Sequence, residues 1–256
     1  IVRQKSLSWL LRPFQRALLK RADRIIVATP RHIECSAHLR EFEDKCEVIP
    51  FGIEPERFDA TPDTISRAAQ IRLRYGSPLV LFVGRASYYK GIPCLLESMK
   101  SVPAKLLLVG AHVGRRWVEE EAARIGVSSK VIVAGPIPDG ELPAYYHACD
   151  VFVLPSIAES EAFGIVQAEA MACGKPVINT LLPTGVPWVS LDGVTGITVP
   201  PSDSMALAKA IRSLLGDPAL AMRLGEAGRQ RVREVFRRDT MLEKVLEMYR
   251  KVASQG

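Results

Sequence analysis

The chain of 256 residues contains no apolar run near the ~20 residues that cross a bilayer, and no signal peptide opens it. The cytoplasm is therefore the expected compartment. Its five cysteines (35, 46, 94, 149 and 173) are odd in number, scattered and without a C-x-x-C pair, which argues against a disulfide framework. Cys94, Cys149 and Cys173 sit in apolar helical contexts and read as small core residues. No Asp-x-Asp pair and no Glu/His cluster with ligand spacing occurs, so no metal centre is expected. The G-x-G-x-x-G fingerprint is missing too: Gly84 is followed by Arg85-Ala86, which argues against a nucleotide-cofactor oxidoreductase. Internal repeats and low-complexity tracts are absent. What remains is an ordinary globular composition, 48% apolar and 24% charged, long enough to bury a sizeable core.

The formal charge of +6 is concentrated at one end. Residues 1–24 hold seven Lys/Arg against the single acid Asp23, whereas the rest of the chain balances. Trp9, Leu10, Leu11, Phe14, Leu18 and Leu19 interleave with those cations, as in a basic amphipathic helix. Two readings stand: peripheral contact with an anionic membrane surface, or an apolar face packed on the chain's own domain with a solvated basic face. The second is preferred. Nucleic acid is not an expected partner, because these cations and aromatics continue into no recognised binding motif.

Along the chain, residues 24–28 and 46–49 are short strand candidates, with a helix from Pro30 to about Phe42 between them and Thr29 as its N-cap. Residues 51–63, rich in Pro and Gly, read as a linker. From Leu79 the rhythm becomes β-α-β-α. Strands are expected at 79–83, 106–109, 131–134, 151–154, 177–179 and 197–199, with helices near 91–101, 115–125, 139–148 and 163–172. Strands apolar throughout and separated by helical lengths indicate a parallel sheet covered on both faces. The fold class is thus α/β, a Rossmann-like domain over 64–235, followed by a last helix within 236–256 that should bury Met241, Leu242, Val245, Leu246 and Tyr249.

Glu161-Ala-Phe-Gly-Ile-Val-Gln-Ala-Glu169 stands where a strand hands over to a helix. A helix N-terminus offers free N–H groups and the positive dipole end, which suit a phosphate-bearing ligand. If Glu161 and Glu169 share one helix face, both carboxylates can address one ligand about 12 Å long. That segment, continued by Met171-Ala and Gly174-Lys-Pro-Val, resembles the signature of the retaining glycosyltransferases of family 4 (glycosyl transferases group 1), which have the two-Rossmann-domain GT-B architecture. Phe82-Val-Gly-Arg85 with Lys90-Gly91 resembles the family's diphosphate-binding loop, and Val48-Ile-Pro-Phe-Gly-Ile53 its interdomain linker. Ala22-Asp23-Arg-Ile-Ile26 resembles the end of its first domain, and Asp192-Gly-Val-Thr-Gly196 its late loop and strand. By this resemblance residues 1–50 are the terminal part of a first, acceptor-binding Rossmann domain, and the last helix crosses back to it.

The resemblance implies transfer of a hexose, mannose or glucose, from a nucleotide-diphosphate donor with retained configuration, without a metal and without a cofactor beyond the sugar nucleotide. The acceptor would be a glycan or a lipid-linked acceptor, met in the cytoplasm or at the inner face of the membrane. Gly84 allows close backbone approach, while Arg85 and Lys90 neutralise the diphosphate as the leaving group gains charge. The N–H groups of Phe163, Gly164 and Ile165 meet the phosphates, and Glu161 the hydroxyls of the transferring sugar. Glu169 accepts from the ribose diol, which a carboxylate suits because it offers only acceptors. Main chain near Ile137 contacts the base, with Glu141 a weaker candidate. His112 is an open candidate, while His147, within a helix, reads as packing or capping. Trp188 stands near the place where many relatives carry a Glu. With most of the first domain missing from the resemblance, a nucleotide-sugar-binding module without independent catalysis remains the alternative.

Overall fold

The computed structural model describes residues 5–110 and 114–254. The first unit runs α1 (Lys5–Arg21), β1 (Ile25–Val27), α2 (Pro30–Cys35), α3 (Ala37–Arg40) and β2 (Cys46–Val48). β1 and β2 pair in parallel, Ile25 opposite Cys46 and Val27 opposite Val48, joined by the helical crossover that parallel strands require. The single helix expected from Pro30 is broken at Ser36, whose extended backbone (φ −106°, ψ 111°) lets its Oγ accept from the Leu39 N–H at 3.3 Å. A serine offering its own acceptor competes with the helical ladder, and here it restarts the helix instead of continuing it.

The preferred reading of α1 needs correction. Leu11, Phe14 and Leu18 are 49%, 75% and 71% exposed, so this part of the apolar face is largely open among the described residues, and only Leu19 is half-buried. Polar contacts hold the helix instead. Arg16 pairs with Glu41, and the Lys45 ammonium donates to the carbonyls of Lys20 and Ala22 at 2.8 and 2.9 Å, a cation at the negative end of the helix. The side chains of Trp9 and Leu10 lie outside those described.

The linker is not loose chain. A 3₁₀ turn at Pro55–Phe58 buries Pro55 and Phe58, and α4 (Pro62–Tyr75) takes over before Asp63, started by Thr61 Oγ1 accepting from Thr64 N–H at 3.2 Å. The second unit continues β3 (Leu79–Val83), α5 (Ile92–Ser98), β4 (Lys105–Val109), α6 (Arg115–Ile125), β5 (Val131–Val133), α7 (Leu142–Ala148) and β6 (Val151–Val153). It closes with α8 (Ile165–Ala172), β7 (Val177–Thr180), α9 (Val186–Val189), β8 (Gly196–Val199), α10 (Ser204–Gly216), α11 (Pro218–Val235) and α12 (Arg238–Ala253). Asp203 and Asp217 cap α10 and α11, accepting from Ala206 N–H at 2.8 Å and Leu220 N–H at 2.9 Å.

The six strands form one wholly parallel sheet in the order β5-β4-β3-β6-β7-β8. Strand alternation explains why they read as unbroken apolar runs. Leu79, Leu81 and Val83 of β3 face one core with residues of α7 and α8, while Val80 and Phe82 face a second core with α5, α6 and α10. The chain runs outward from β3 to β4 and β5, then returns to start β6 on the other side of β3. The switch point thus lies between the carboxyl ends of β3 and β6, where open parallel sheets bind ligands.

α12 is pinned to the linker: Ile53 N–H donates to Phe236 O and Arg238 N–H to Ile53 O, both at 2.8 Å. Arg237 pairs with Glu56 at 2.8 Å, and Arg238 with Glu54. The expected buried stripe is shifted. Met248 is buried and Met241 and Val245 are half-buried, whereas Leu242, Leu246 and Tyr249 are exposed. The 3–4 spacing places two neighbouring stripes on this helix, and Met241, Val245 and Met248 form the one that meets the rest of the chain.

Candidate functional site

The loops leaving β3 and β6 are joined. Ile157 N–H donates to Tyr89 O at 2.8 Å, and Gly91 lies so close to the β6 loop that a Cβ there would stand 1.9 Å from Pro155 O. Its φ of +69° is also a left-handed conformation that favours glycine. This contact brings Lys90 to Glu161. The ammonium donates to Glu161 Oε2 at 2.5 Å, Ser156 Oγ donates to the same oxygen at 3.0 Å, and both charged side chains are about nine-tenths buried. Ser156 is itself fixed, because its carbonyl accepts from Thr180 Oγ1 at 2.5 Å. Lys90 also lies over the Tyr89 ring, 5.4 Å from its centroid. Gly84, at the end of β3, leaves open the space beside the Lys90 ammonium. Arg85 is exposed and has no charged or hydrogen-bonded side-chain partner among the described residues.

Glu161 and Glu169 do not share a helix. Glu161 sits in the bend ahead of α8, whose N-cap is Gly164 at φ +73°, so the expectation of two carboxylates along one helix face is corrected. A side chain on Gly164 would meet Leu154 at 2.5 Å, and its left-handed backbone stops the helix from extending back to Glu161. Phe163, Gly164 and Ile165 do form the approach to the helix N-terminus, and among the described residues their N–H groups donate to no acceptor. Phe163 is buried, edge-on to Phe51 (5.1 Å) and Phe236 (5.9 Å).

Glu169, in α8, borders a cleft of about 220 Å³ shared with Ile53, Arg57, Phe58, Asp139 and Arg238. Burial raises its carboxyl pKa above the usual range, opposed by a hydrogen bond from Tyr146 Oη at 2.6 Å and by the charge of Arg57. Ile137 is half-buried on the loop that leads toward Asp139 and packs on the core. Glu141 faces elsewhere, 3.8 Å from Arg67 in a separate cleft between α4 and α7, and so does not join this site. His147 is a packing residue as read from sequence: its Nε2 lies 2.8 Å from Phe58 O, and burial lowers its pKa. His112 lies outside the described residues.

Several partners had no sequence signal. Tyr146 and Ser156 are examples, and so is the buried amide pair Gln167 and Asn179. Asn179 Nδ2 donates to Gln167 Oε1 at 2.8 Å, and Gln167 Nε2 to Phe163 O at 3.2 Å, which ties the start of α8 to β7. From the first unit, His32 Nε2 lies 3.0 Å from Ala162 O, and Arg31 Nε donates to Thr184 O at 3.1 Å. Trp188 packs rather than lining the crevice: its ring meets Phe236 edge-on, and Arg231 stacks on it at 5.0 Å while donating to its carbonyl at 2.8 Å. Cys149 and Cys173 are buried as expected, with burial pushing the Cys149 thiol up to about 12. Cys94 is half-buried against the second core.

Comparison with known proteins agrees with this architecture. Residues 65–231 match the family described as glycosyl transferases group 1. The chain is 34% identical over 249 residues to O-antigen chain mannosyltransferase C of Escherichia coli, covering 97% of this chain and 66% of that protein. It is 33% identical over 236 residues to D-rhamnosyltransferase WbpZ of Pseudomonas aeruginosa, covering 92% and 61%. Among solved structures, the sucrose-phosphate synthase of Thermosynechococcus elongatus superposes with a TM-score of 0.83 at 34% identity, over 94% of this chain and 61% of that one. Anabaena HepE, solved with UDP, shares the fold at a TM-score of 0.80 and 23% identity, over 90% and 64%. The chain therefore spans from about three-fifths to just under two-thirds of the curated relatives named here. A parallel six-stranded sheet, a Lys–Glu pair at its switch point and a family match across most of the second unit lead to one conclusion: the chain belongs to the glycosyl transferases group 1 family.

Proposed function

We propose that the chain holds the sugar-nucleotide donor of a retaining hexosyltransferase, which moves mannose or glucose from a GDP- or UDP-linked donor to a glycan or lipid-linked acceptor. The observation that carries this reading is the buried Lys90–Glu161 pair at the switch point of the sheet, with Arg85 exposed on the loop that leaves β3. Lys90 and Arg85 are the cations that take the diphosphate, helped by the N–H groups of Phe163, Gly164 and Ile165, and Gly84 admits the phosphates close to the backbone. Once phosphate competes for Lys90, the Glu161 carboxylate is free to accept from hydroxyls of the transferring sugar. Glu169 accepts from the ribose diol, and main chain near Ile137 meets the base. These residues neutralise the leaving group themselves, so no metal is assigned a role. Mannose is the better supported sugar, because relatives include the O-antigen mannosyltransferase and an enzyme named as GDP-mannose-dependent from Mycolicibacterium smegmatis. Transfer takes place at the cytoplasmic face of the membrane, where the cations and open apolar residues of α1 suit an anionic surface.

The second reading is donor binding without independent transfer. The two carboxylates separate under test. With radiolabelled GDP-mannose and UDP-glucose and a glycolipid extract as acceptor, Glu169→Ala should weaken nucleotide binding about 10-fold or more. Glu161→Ala should slow transfer about 100-fold while changing nucleotide affinity little. Unchanged nucleotide affinity in Glu169→Ala removes the ribose assignment, and donor binding without turnover in the unsubstituted chain selects the second reading.

A further inference from the structure

Tyr146 is wholly buried in α7, set against the rings of Phe58 (centroids 6.0 Å apart) and Phe152 (5.7 Å). A phenylalanine would fill that space with no polar group to satisfy. The hydroxyl donates to Glu169 Oε2 at 2.6 Å, and Oε1 of the same carboxylate accepts from no donor among the described residues. A phenol facing a carboxylate in a dry setting makes a charge-assisted bond, stronger than a neutral one. Burial, and then the charge of Glu169, hold the phenol pKa well above its ordinary value, so it remains a donor through neutral and alkaline pH.

We propose that Tyr146 is a positioning residue for the nucleotide: its hydroxyl takes one oxygen of Glu169, fixes the carboxylate plane and leaves the other oxygen for a ribose diol. The inference rests on the ribose reading of Glu169 given above. The terminal torsion of a glutamate is broad and about two-fold, so a single strong donor decides which orientation it holds. The groups that face Glu169 are Tyr146 from α7, Arg57 from the linker, Asp139 from the loop before α7 and Cys173 beyond the end of α8. Glu54 and Arg238 line the same cleft. Loss of the phenol removes a donor to the charged form, which raises the Glu169 pKa and moves the acid side of the nucleotide-binding profile to higher pH.

The test is calorimetric titration with GDP, UDP and their 2′-deoxy counterparts at several pH values, on the unsubstituted chain, Tyr146→Phe, Glu169→Ala and the double variant. Tyr146→Phe should weaken ribonucleotide binding about 3- to 10-fold, weaken binding of the 2′-deoxynucleotides, which keep only the 3′-hydroxyl, by less, and shift the acid limb upward. In the Glu169→Ala background it should change nothing further. If Tyr146→Phe keeps the normal ribose preference and pH limb while Glu169→Ala loses the preference, the tyrosine only packs and the inference fails. A Tyr146→Phe chain that melts earlier but keeps that preference overturns it equally. If the unsubstituted chain binds neither nucleotide, or shows the same ribose preference as Glu169→Ala, the reading of Glu169 fails and this inference with it.

Discussion

Glu169 carries two opposite pH dependences. Burial raises its carboxyl pKa, so between the ordinary carboxylate value and the raised one the folded chain holds a proton that the unfolded chain releases. Its contribution to stability therefore falls as pH rises through that window and stays flat above it. With the proposed ribose contact, donor affinity should run the other way, because only the ionised form offers every lone pair to a diol. His147 has the reverse sign: with its pKa lowered by burial, stability is lost as pH drops below the ordinary histidine range. Glu169→Gln leaves His147 in place and isolates the glutamate. In urea unfolding from mildly acidic to neutral pH, this variant should gain stability relative to the unsubstituted chain as pH rises. A difference independent of pH would mean that Glu169 titrates normally. That Lys90 and Glu161 stand on the loops leaving two strands was legible from the motifs, whereas the break at Gly164 that keeps Glu161 out of the Glu169 helix was not. Tyr146, Ser156 and Gln167 were not legible either, since a lone hydroxyl or amide shows its role only when a distant segment supplies the partner.

At the scale of elements, the inner strands could be read almost to the residue: 79–83 is the expectation and Leu79–Val83 the result. A strand covered on both faces needs an unbroken apolar run, and little else in a chain produces one. Helix faces were harder. The apolar stripes of α1 and α12 announce a helix but not its cover, and Phe14, Leu18, Leu242 and Leu246 are all exposed. The helix from Pro30 failed at Ser36 because a local side-chain bond competed with the ladder. Loop junctions depend on close approach, which glycines reveal only in three dimensions. Gly91→Ala should cost about 2–3 kcal/mol, since its backbone is left-handed and its Cβ would strike Pro155 O. The strand–strand core should survive, while the Lys90–Glu161 pair is displaced and nucleotide binding weakens. Thermal unfolding with calorimetry checks both effects, and full stability together with full affinity would show that the β3 and β6 loops are not joined in solution.

At the scale of the whole molecule, the order β5-β4-β3-β6-β7-β8 puts two loops distant in sequence on one crevice. The first unit reaches the loops before α8 and after β7 through His32 and Arg31, Phe51 of the linker packs on Phe163, and the linker is held by α12. Parallel topology was legible, but the way the units lean together was not, because those contacts run through backbone carbonyls that no motif records. A nucleoside diphosphate is the ligand proposed for this crevice. The direct measurement is a calorimetric titration with GDP and UDP of the unsubstituted chain and of Arg85→Ala, an exposed position whose loss leaves the core intact. Saturable binding of one nucleotide, weakened about 10-fold or more in Arg85→Ala, is the predicted result. Equal binding in both proteins, or none in either, would contradict it.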